Sequence, residues 1–263
     1  MRVTAEMRLA AAEAVAREAG ALALRYYRGR EALAVEQKGP QDIVSIADRE
    51  VEHLVRARLQ ALFPQDAVLG EEGGLDEGHD AVGTWVVDPI DGTWCFLNGI
   101  ASWCVSLAYV RDGRIETGVI YDPCSEELFA ARAGGGASLD GRPIRVAPVT
   151  ALDQGTVSVG YSARASADGT LAILRRLTDA GGVYHRHGSG ALALAWTACG
   201  RLIGYIETHM NSWDCLAGLL LIREAGGFTN DFLALGGLHD GAPVIGGPLA
   251  LRPALLAVAG IDA

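Results

Sequence analysis

The chain lacks a stretch that could cross a bilayer. Its longest strongly apolar run, Leu216–Ile222, is 7 residues, against the roughly 20 that a spanning helix needs. No CxxC pair occurs among the five cysteines, Cys95, Cys104, Cys124, Cys199 and Cys215. An odd, scattered set of this kind indicates reduced, mostly buried thiols in a cytoplasmic protein. No cluster of lysine and arginine offsets the formal charge of -10, which comes from 22 basic and 32 acidic side chains. Such a surface repels nucleic acid and anionic membrane, so neither is an expected partner. The N-terminal stretch lacks the uninterrupted apolar core of a signal peptide, because Glu6, Arg8, Glu13, Arg17 and Glu18 break it. Repeats and low-complexity tails are also missing.

What remains is material for a core. Half of the 263 residues are hydrophobic and 21% are charged, with 34 glycines and 9 prolines, a composition of ordinary globular α/β proteins. The length permits one large domain or two compact ones. Thr4–Arg28, alanine-rich and followed by Gly29, predicts a helix, then an extended piece at Leu33–Gln37 and a loop at Lys38-Gly39-Pro40. Ile46–Leu62 predicts a second helix, with Val51, Leu54, Val55, Leu59 and Leu62 on one face and Ser45 and Asp48 as its capping pair. Strands follow at Ala67–Leu69, Thr84–Val87, Trp103–Val110, Ile115–Tyr121, Glu127–Arg132 and Ile144–Val146, with Asp-Gly turns at Asp112-Gly113 and Asp140-Gly141. The second half alternates between strands (Thr156–Val159, Val183–His185, Leu202–Glu207, Val244–Ile245) and helices (Asp168–Ala180, Gly190–Cys199, Trp213–Ala225, Pro253–Val258). A boundary near residue 148 divides an N-terminal part of two helices and an antiparallel sheet, 1–147, from a C-terminal α/β part, 148–263.

The most informative segment is Asp88-Pro89-Ile90-Asp91-Gly92-Thr93. Pro89 holds Asp88 extended at a strand end. Gly92 lets backbone approach a ligand closely, and Thr93 can open a helix whose free N–H groups suit a phosphate. The two carboxylates and the Ile90 carbonyl are the hard oxygens that Mg²⁺ prefers. A plain polar turn with Asp91 as a helix cap explains the same residues. Glu71 and Glu72 follow another apolar strand, and since adjacent residues face opposite sides, one of them, Glu71, is expected to meet Asp88. Asp214 opens an apolar helix directly after Trp213, as a ligand or as a helix cap. Carboxylates gathered in one place repel and raise one another's pKa. Divalent cations remove that penalty, and two of them sharing Asp88 can clamp a phosphate and activate water.

Together these segments resemble the inositol monophosphatase family. The resemblance rests on Gly70-Glu71-Glu72, Trp85-Val86-Val87-Asp88-Pro89-Ile90-Asp91-Gly92-Thr93, Gly188-Ser189-Gly190-Ala191, Trp213-Asp214 and Glu224-Ala225-Gly226-Gly227, in matching order over nearly the whole chain. It implies a layered α-β-α-β-α fold of the inositol monophosphatase and fructose-1,6-bisphosphatase type, two or three Mg²⁺ ions, inhibition by lithium and a homodimer. Carried over by position, Glu71, Asp88, the Ile90 carbonyl, Asp91 and Asp214 are metal ligands. Thr93, helped by Asp42 and with Glu71 nearby, orients or deprotonates the attacking water. Gly92 and Thr93 amides contact phosphate. Asp91, Gly188, Ser189, Ala191, Glu207 and Asp214 contact the alcohol part of the substrate. Read from the residues alone, Asp42 is equally a turn residue, Ser189 a helix N-cap and Glu207 an exposed strand end.

The sequence departs from the family pattern at Trp94-Cys95-Phe96, at Asn211-Ser212 and at Ile203, where the family often has a substrate-facing aspartate. These changes leave the carboxylate set intact and bear on substrate choice, Ile203 speaking against a polyhydroxylated ring held as in typical members. The expected reaction is hydrolysis of a small phosphate monoester, inositol monophosphate first. The enzymatic alternatives are fructose-1,6-bisphosphatase, histidinol-phosphatase or 3'-phosphoadenosine phosphatase activity. A non-catalytic regulator that binds a protein partner is the alternative of another class.

Overall fold

The computed structural model describes residues 3–32, 35–39, 42–76, 81–162 and 164–261, with the backbone alone at 32, 35–39 and 42–44. Helix α1 (Ala5–Arg28) is capped by Thr4, whose Oγ1 accepts the Met7 N–H at 3.2 Å. A hairpin of β1 (Val35–Gly39) and β2 (Asp42–Ser45) precedes α2 (Ile46–Leu62). The capping box predicted at Ser45 and Asp48 is formed. The chain then builds β3 (Ala67–Gly70), β4 (Gly74–Leu75), β5 (Thr84–Asp91), the short α3 (Thr93–Leu97), β6 (Cys104–Arg111), β7 (Arg114–Asp122), β8 (Glu127–Arg132), β9 (Gly136–Leu139) and β10 (Arg142–Pro143). These strands form one sheet in the order β10-β9-β8-β7-β6-β5-β3-β4, antiparallel throughout except between β3 and β5. At both Asp-Gly turns the two central residues have positive φ, 51° and 69° at Asp112-Gly113 and 49° and 74° at Asp140-Gly141, as tight hairpins of this twist require.

Ile144–Val146, expected as a strand, is a connector. Its Ile144 and Val146 N–H groups donate to Ala137 and Ala225 carbonyls at 3.0 and 3.2 Å. The strand that pairs with β8 on the side away from β7 is the glycine-led β9. Its weak apolar pattern hides it in the sequence, and Pro143 ends the edge strand beyond it.

The second half supplies β11 (Thr156–Val159), α4 (Ala167–Asp179), β12 (Val183–His185), α5 (Gly190–Ala198), β13 (Gly204–Met210), α6 (Ser212–Glu224), β14 (Gly227–Thr229), α7 (Gly237–Asp240), β15 (Ala242–Pro248) and α8 (Arg252–Ala259). Its sheet has the order β12-β11-β13-β15-β14, with β11 parallel to both neighbours and the other pairs antiparallel.

Alternation along the strands assigns the layers. On β8, Leu128 and Ala130 face a core that contains Val15 and Ala19 of α1 and Val51 and Val55 of α2, while Phe129 and Ala131 face Leu192 of α5 and Leu216 of α6. On β13, Tyr205 joins that second core, while Ile206 joins Ile173 of α4 and Leu255 of α8. Both sheets are therefore covered on both faces, which explains the near-continuous apolar runs of their strands. The result is the expected α-β-α-β-α stack, with α5 and α6 as the middle layer. Residues Cys215 to Ile222 of α6 are all buried, as a helix sandwiched between two sheets must be. Gly118 of β7 lets that helix approach: a Cβ there would lie 2.8 Å from the Ala217 carbonyl and 2.9 Å from its Cα.

Candidate active site

The site forms where β5, the turn after β3 and the first turns of α5 and α6 meet. Residues three apart on a regular strand point to opposite faces, so Asp88 and Asp91 should diverge. Pairing of β5 with β6 slips between those two residues, and a bulge of this kind re-aims the side chains beyond it. Both carboxylates then face the middle helices. Asp214 arrives from the first turn of α6, where its Oδ2 accepts the Asn211 N–H at 3.2 Å. Asp88, Asp91 and Asp214 each place an oxygen within 4.8 Å of the other two. This group is able to hold a cation.

Burial is the main reason that all three carboxyls titrate above the usual carboxylate range. Mutual repulsion adds to it: Glu71, Asp91 and Asp214 push Asp88 up, and Asp91 and Glu207 push Asp214 up. Asp91 is partly relieved by two donors at the start of α5, Ser189 Oγ at 2.5 Å and the Ala191 N–H at 2.7 Å, both on Oδ2. Ser189 and Ala191, expected against the alcohol part of a substrate, thus direct their donors at Asp91. The Ile90 N–H donates to Asp88 Oδ1 at 3.0 Å.

Glu71 stands apart from the tight group of three. Gly70 is in register with Val87 across the parallel β3–β5 pair, and the Glu71 N–H donates to the Val87 carbonyl at 3.2 Å. Glu71 therefore sits beside Asp88 and lines the cavity. Its neighbour Glu72 turns its N–H to Glu52 of α2 at 2.8 Å.

Gly92 has φ 99° and precedes α3. A Cβ there would lie 2.7 Å from the Ser102 carbonyl, so both conformation and space call for glycine. Thr93 Oγ1 lies 3.3 Å from Asp48 Oδ1 and 3.2 Å from the Ile90 carbonyl. Asp48 Oδ2 meanwhile accepts the Ser45 N–H and hydroxyl at 2.8 and 2.7 Å, and burial raises its carboxyl. One carboxylate thus caps α2 with one oxygen and reaches Thr93 with the other. Sequence reasoning saw only the cap. Asp42, the expected helper of Thr93, begins β2, and its side chain lies outside the described residues.

These groups floor a cavity of about 810 Å³. Its far wall is the C-terminal end of the smaller sheet, where connections from β11 run through α4 to one neighbour and later elements reach the other, the kind of switch point at which open sheets bind ligands. Glu207 projects there, 8% exposed, and accepts the Tyr205 hydroxyl at 2.5 Å. Burial pushes its carboxyl up to about 7. Gly188, with φ 97°, lies against Cys95 Sγ and also lines the cavity. Two arginines on this wall, Arg164 and Arg186, escaped the sequence reading because 22 positions separate them; the parallel pairing of β11 and β12 brings their loops to one side. His187, also missed, has Nδ1 2.6 Å from Ser102 Oγ and its ring edge-on to Trp196 at 4.2 Å. Burial lowers it to about 4, which leaves it neutral. Ile203 packs among Val157, Leu251 and Leu255 and is not a cavity residue, so the expected penalty on a polyhydroxylated ring does not arise from that position. Regular alternation begins only at Gly204, which is why Ile203 faces the outer core with Ile206. All five cysteines are free, and among the described residues no helix is long and apolar enough to cross a membrane.

Comparison with known proteins agrees with this architecture. The model of the inositol monophosphatase family matches residues 5–239. An inositol-1-monophosphatase of Mesorhizobium japonicum is 42% identical over 226 residues, 85% of each chain. A protein of Xylella fastidiosa named Nus factor SuhB is 41% identical over 82% of this chain and 79% of its own. Among solved structures, the extragenic suppressor protein SuhB of Bartonella henselae superposes with a TM-score of 0.89 at 34% identity, covering 97% of this chain and 98% of the other. With the fold, the acidic cluster and the matching relatives in agreement, the chain belongs to the inositol monophosphatase family and is a phosphatase.

Proposed function

We propose that the protein hydrolyses a small phosphate monoester, inositol monophosphate first, with Mg²⁺ held by Asp88, Asp91, Asp214, Glu71 and the Ile90 carbonyl. The observation that carries this reading is the meeting of Asp88, Asp91 and Asp214, from β5 and α6, within 4.8 Å at the floor of an open cavity. A mutually repelling trio, with Asp88 and Asp91 buried and Asp214 half-buried, is costly unless a cation compensates it. Its donors are all hard oxygens, which suit Mg²⁺. When bound, such ions supply positive charge to the phosphoryl oxygens and lower the pKa of water.

The chain's own residues do the rest. Thr93 Oγ1 orients the attacking water and passes a proton toward Asp48 Oδ1, 3.3 Å away. The Gly92 and Thr93 amides contact the phosphate. Ser189 and Ala191 hold Asp91 in place, and Glu207 meets a hydroxyl of the alcohol part. A homodimer belongs to the same reading, tested by light scattering.

The test is phosphate release from myo-inositol 1-phosphate in Mg²⁺ and in chelator, with fructose 1,6-bisphosphate, histidinol phosphate and 3'-phosphoadenosine compounds alongside. Mg²⁺-dependent turnover is expected, greatest with the inositol ester. Asp91→Asn is expected to lower kcat/KM about 10²-fold or more, the scale for losing one group that stabilises transition-state charge. A different ester turned over fastest replaces the substrate. Relatives named Nus factor SuhB favour a second reading, a regulatory protein that binds a partner. Absence of turnover on every ester would favour it.

A further inference from the structure

Among the groups proposed as ligands, Glu71 is the one carried on a turn, and it lies outside the tight trio. What holds that turn is a pair on α2, Glu52 with the half-buried Arg56. Glu52 is 2% exposed. Its Oε2 accepts the Glu72 N–H at 2.8 Å, and its Oε1 accepts the Gly73 N–H and Arg56 Nε, each at 2.8 Å. Arg56 grips the other polarity of the same turn: its Nη1 donates to Asp76 Oδ1 at 2.7 Å and to the Val68 carbonyl at 3.2 Å, and its Nη2 to the Gly74 carbonyl at 2.5 Å. The turn is packed onto the pair. A Cβ at Gly70 would lie 2.5 Å from the Glu52 carboxyl carbon, and one at Gly73 would lie 2.8 Å from Glu52 Oε1 and 2.9 Å from Arg56 Nη2.

A solvent-facing turn needs no such device, because water satisfies its N–H groups. Burying a carboxylate to bind two consecutive N–H groups is costly and is sustained by the charge-assisted bonds it makes. Glu52 lies outside the cavity lining, so its effect reaches the site through the turn.

We propose that Glu52, oriented by Arg56, is a positioning residue that sets where Glu71 stands beside Asp88 and thereby tunes the affinity of the carboxylate cluster for divalent cations. This rests on the proposed role of Glu71 as a ligand. Outer partners of ligating groups typically govern 10- to 100-fold in metal affinity.

The experiment is calorimetric titration of the full chain with Mg²⁺ alone, followed by phosphate release across a Mg²⁺ series. Glu52→Gln sets an amide N–H₂ against an N–H donor or Arg56. It is expected to weaken Mg²⁺ binding about tenfold or more and to shift half-maximal Mg²⁺ for turnover by the same factor. KM for the ester at saturating Mg²⁺ should stay within about twofold, since uniform substrate binding is untouched. Gly73→Ala wedges a methyl group between the turn and the pair from the exposed side, and decides the matter if Glu52→Gln does not fold. Folded variants with wild-type Mg²⁺ affinity overturn the positioning role alone, the wild type still turning over ester. A wild type that neither binds Mg²⁺ nor turns over ester removes the proposed function and this inference with it.

Discussion

At the scale of single residues, the site shows side chains with two duties. Asp48 caps α2 and also meets Thr93; Asp91 joins the carboxylate trio and is held by the first turn of α5. The duties of Asp48 separate by mutation. Thr93→Ala removes a hydroxyl that caps no helix, so kcat is expected to fall about 10²- to 10⁴-fold, the range for general acid–base groups, with about 1 kcal/mol of stability lost with its hydrogen bond. Asp48→Ala should lower kcat as well and cost about 1 kcal/mol of stability more than Thr93→Ala, through the lost cap. Steady-state kinetics beside thermal unfolding check both, and a Thr93→Ala enzyme with near wild-type kcat refutes the assigned role. The Asp48 cap was legible from Ser45 three positions before it. Its contact with Thr93, 45 positions away in the chain, was not, because no local pattern marks a long-range partner.

At the scale of elements, the carboxylates depend on how closely α6 packs on the large sheet. That helix brings Asp214 to β5, and its approach is set at Gly118, under the Ala217 backbone. Gly118→Ala puts a methyl group against main chain that cannot rotate away. The expected cost is about 1–3 kcal/mol, and Asp214 shifts relative to Asp88. Activity should fall further than stability, read as a lower kcat/KM at temperatures well below unfolding. A variant that keeps wild-type melting and kinetics shows the contact to be slack. The six longer helices were legible to within a residue, since alanine-rich or amphipathic faces and the Ser45 cap are local signals, whereas the four-residue α7 was not foreseen. The glycine-led β9 and the three-residue β14 (Gly227–Thr229) were not, since neither carries a periodic apolar pattern.

At the scale of the molecule, four carboxyls share one region, three of them buried and Asp214 half-buried. Burial raises Asp88, Asp91 and Asp214 above their ordinary values and lifts Glu207 from 4.5 to about 7. A group whose folded-state pKa is raised adds stability that is complete below its unfolded pKa and is lost as pH rises through its folded pKa. For Glu207 that loss runs from about 4.5 to about 7, and the aspartates act in the same sense. His187, lowered to about 4, works oppositely: its contribution is present above 6.5 and lost as pH falls toward 4. His209, also lowered by burial, acts in the same sense as His187, and two imidazoles are outweighed by four carboxyls. In chelator, the melting temperature should therefore drop between pH 5 and pH 8, and Mg²⁺ should raise it more at pH 8 than at pH 5. Thermal unfolding under the four conditions checks this, and equal Mg²⁺ shifts at both pH values refute it.

Local physics was enough for part of this molecule. The helix faces and caps, the two Asp-Gly hairpins and the Asp-Pro-Ile-Asp-Gly-Thr turn all depend on residues a few positions apart, and so did the family resemblance. Folding alone decided the rest: the bulge that turns Asp88 and Asp91 to one side, the meeting of Asp48 with Thr93, the arginines on the cavity wall and the grip of Glu52 on the Glu71 turn. Each joins groups distant along the chain or depends on register between strands. A sequence read in one dimension carries no distance between such groups, and only packing supplies it.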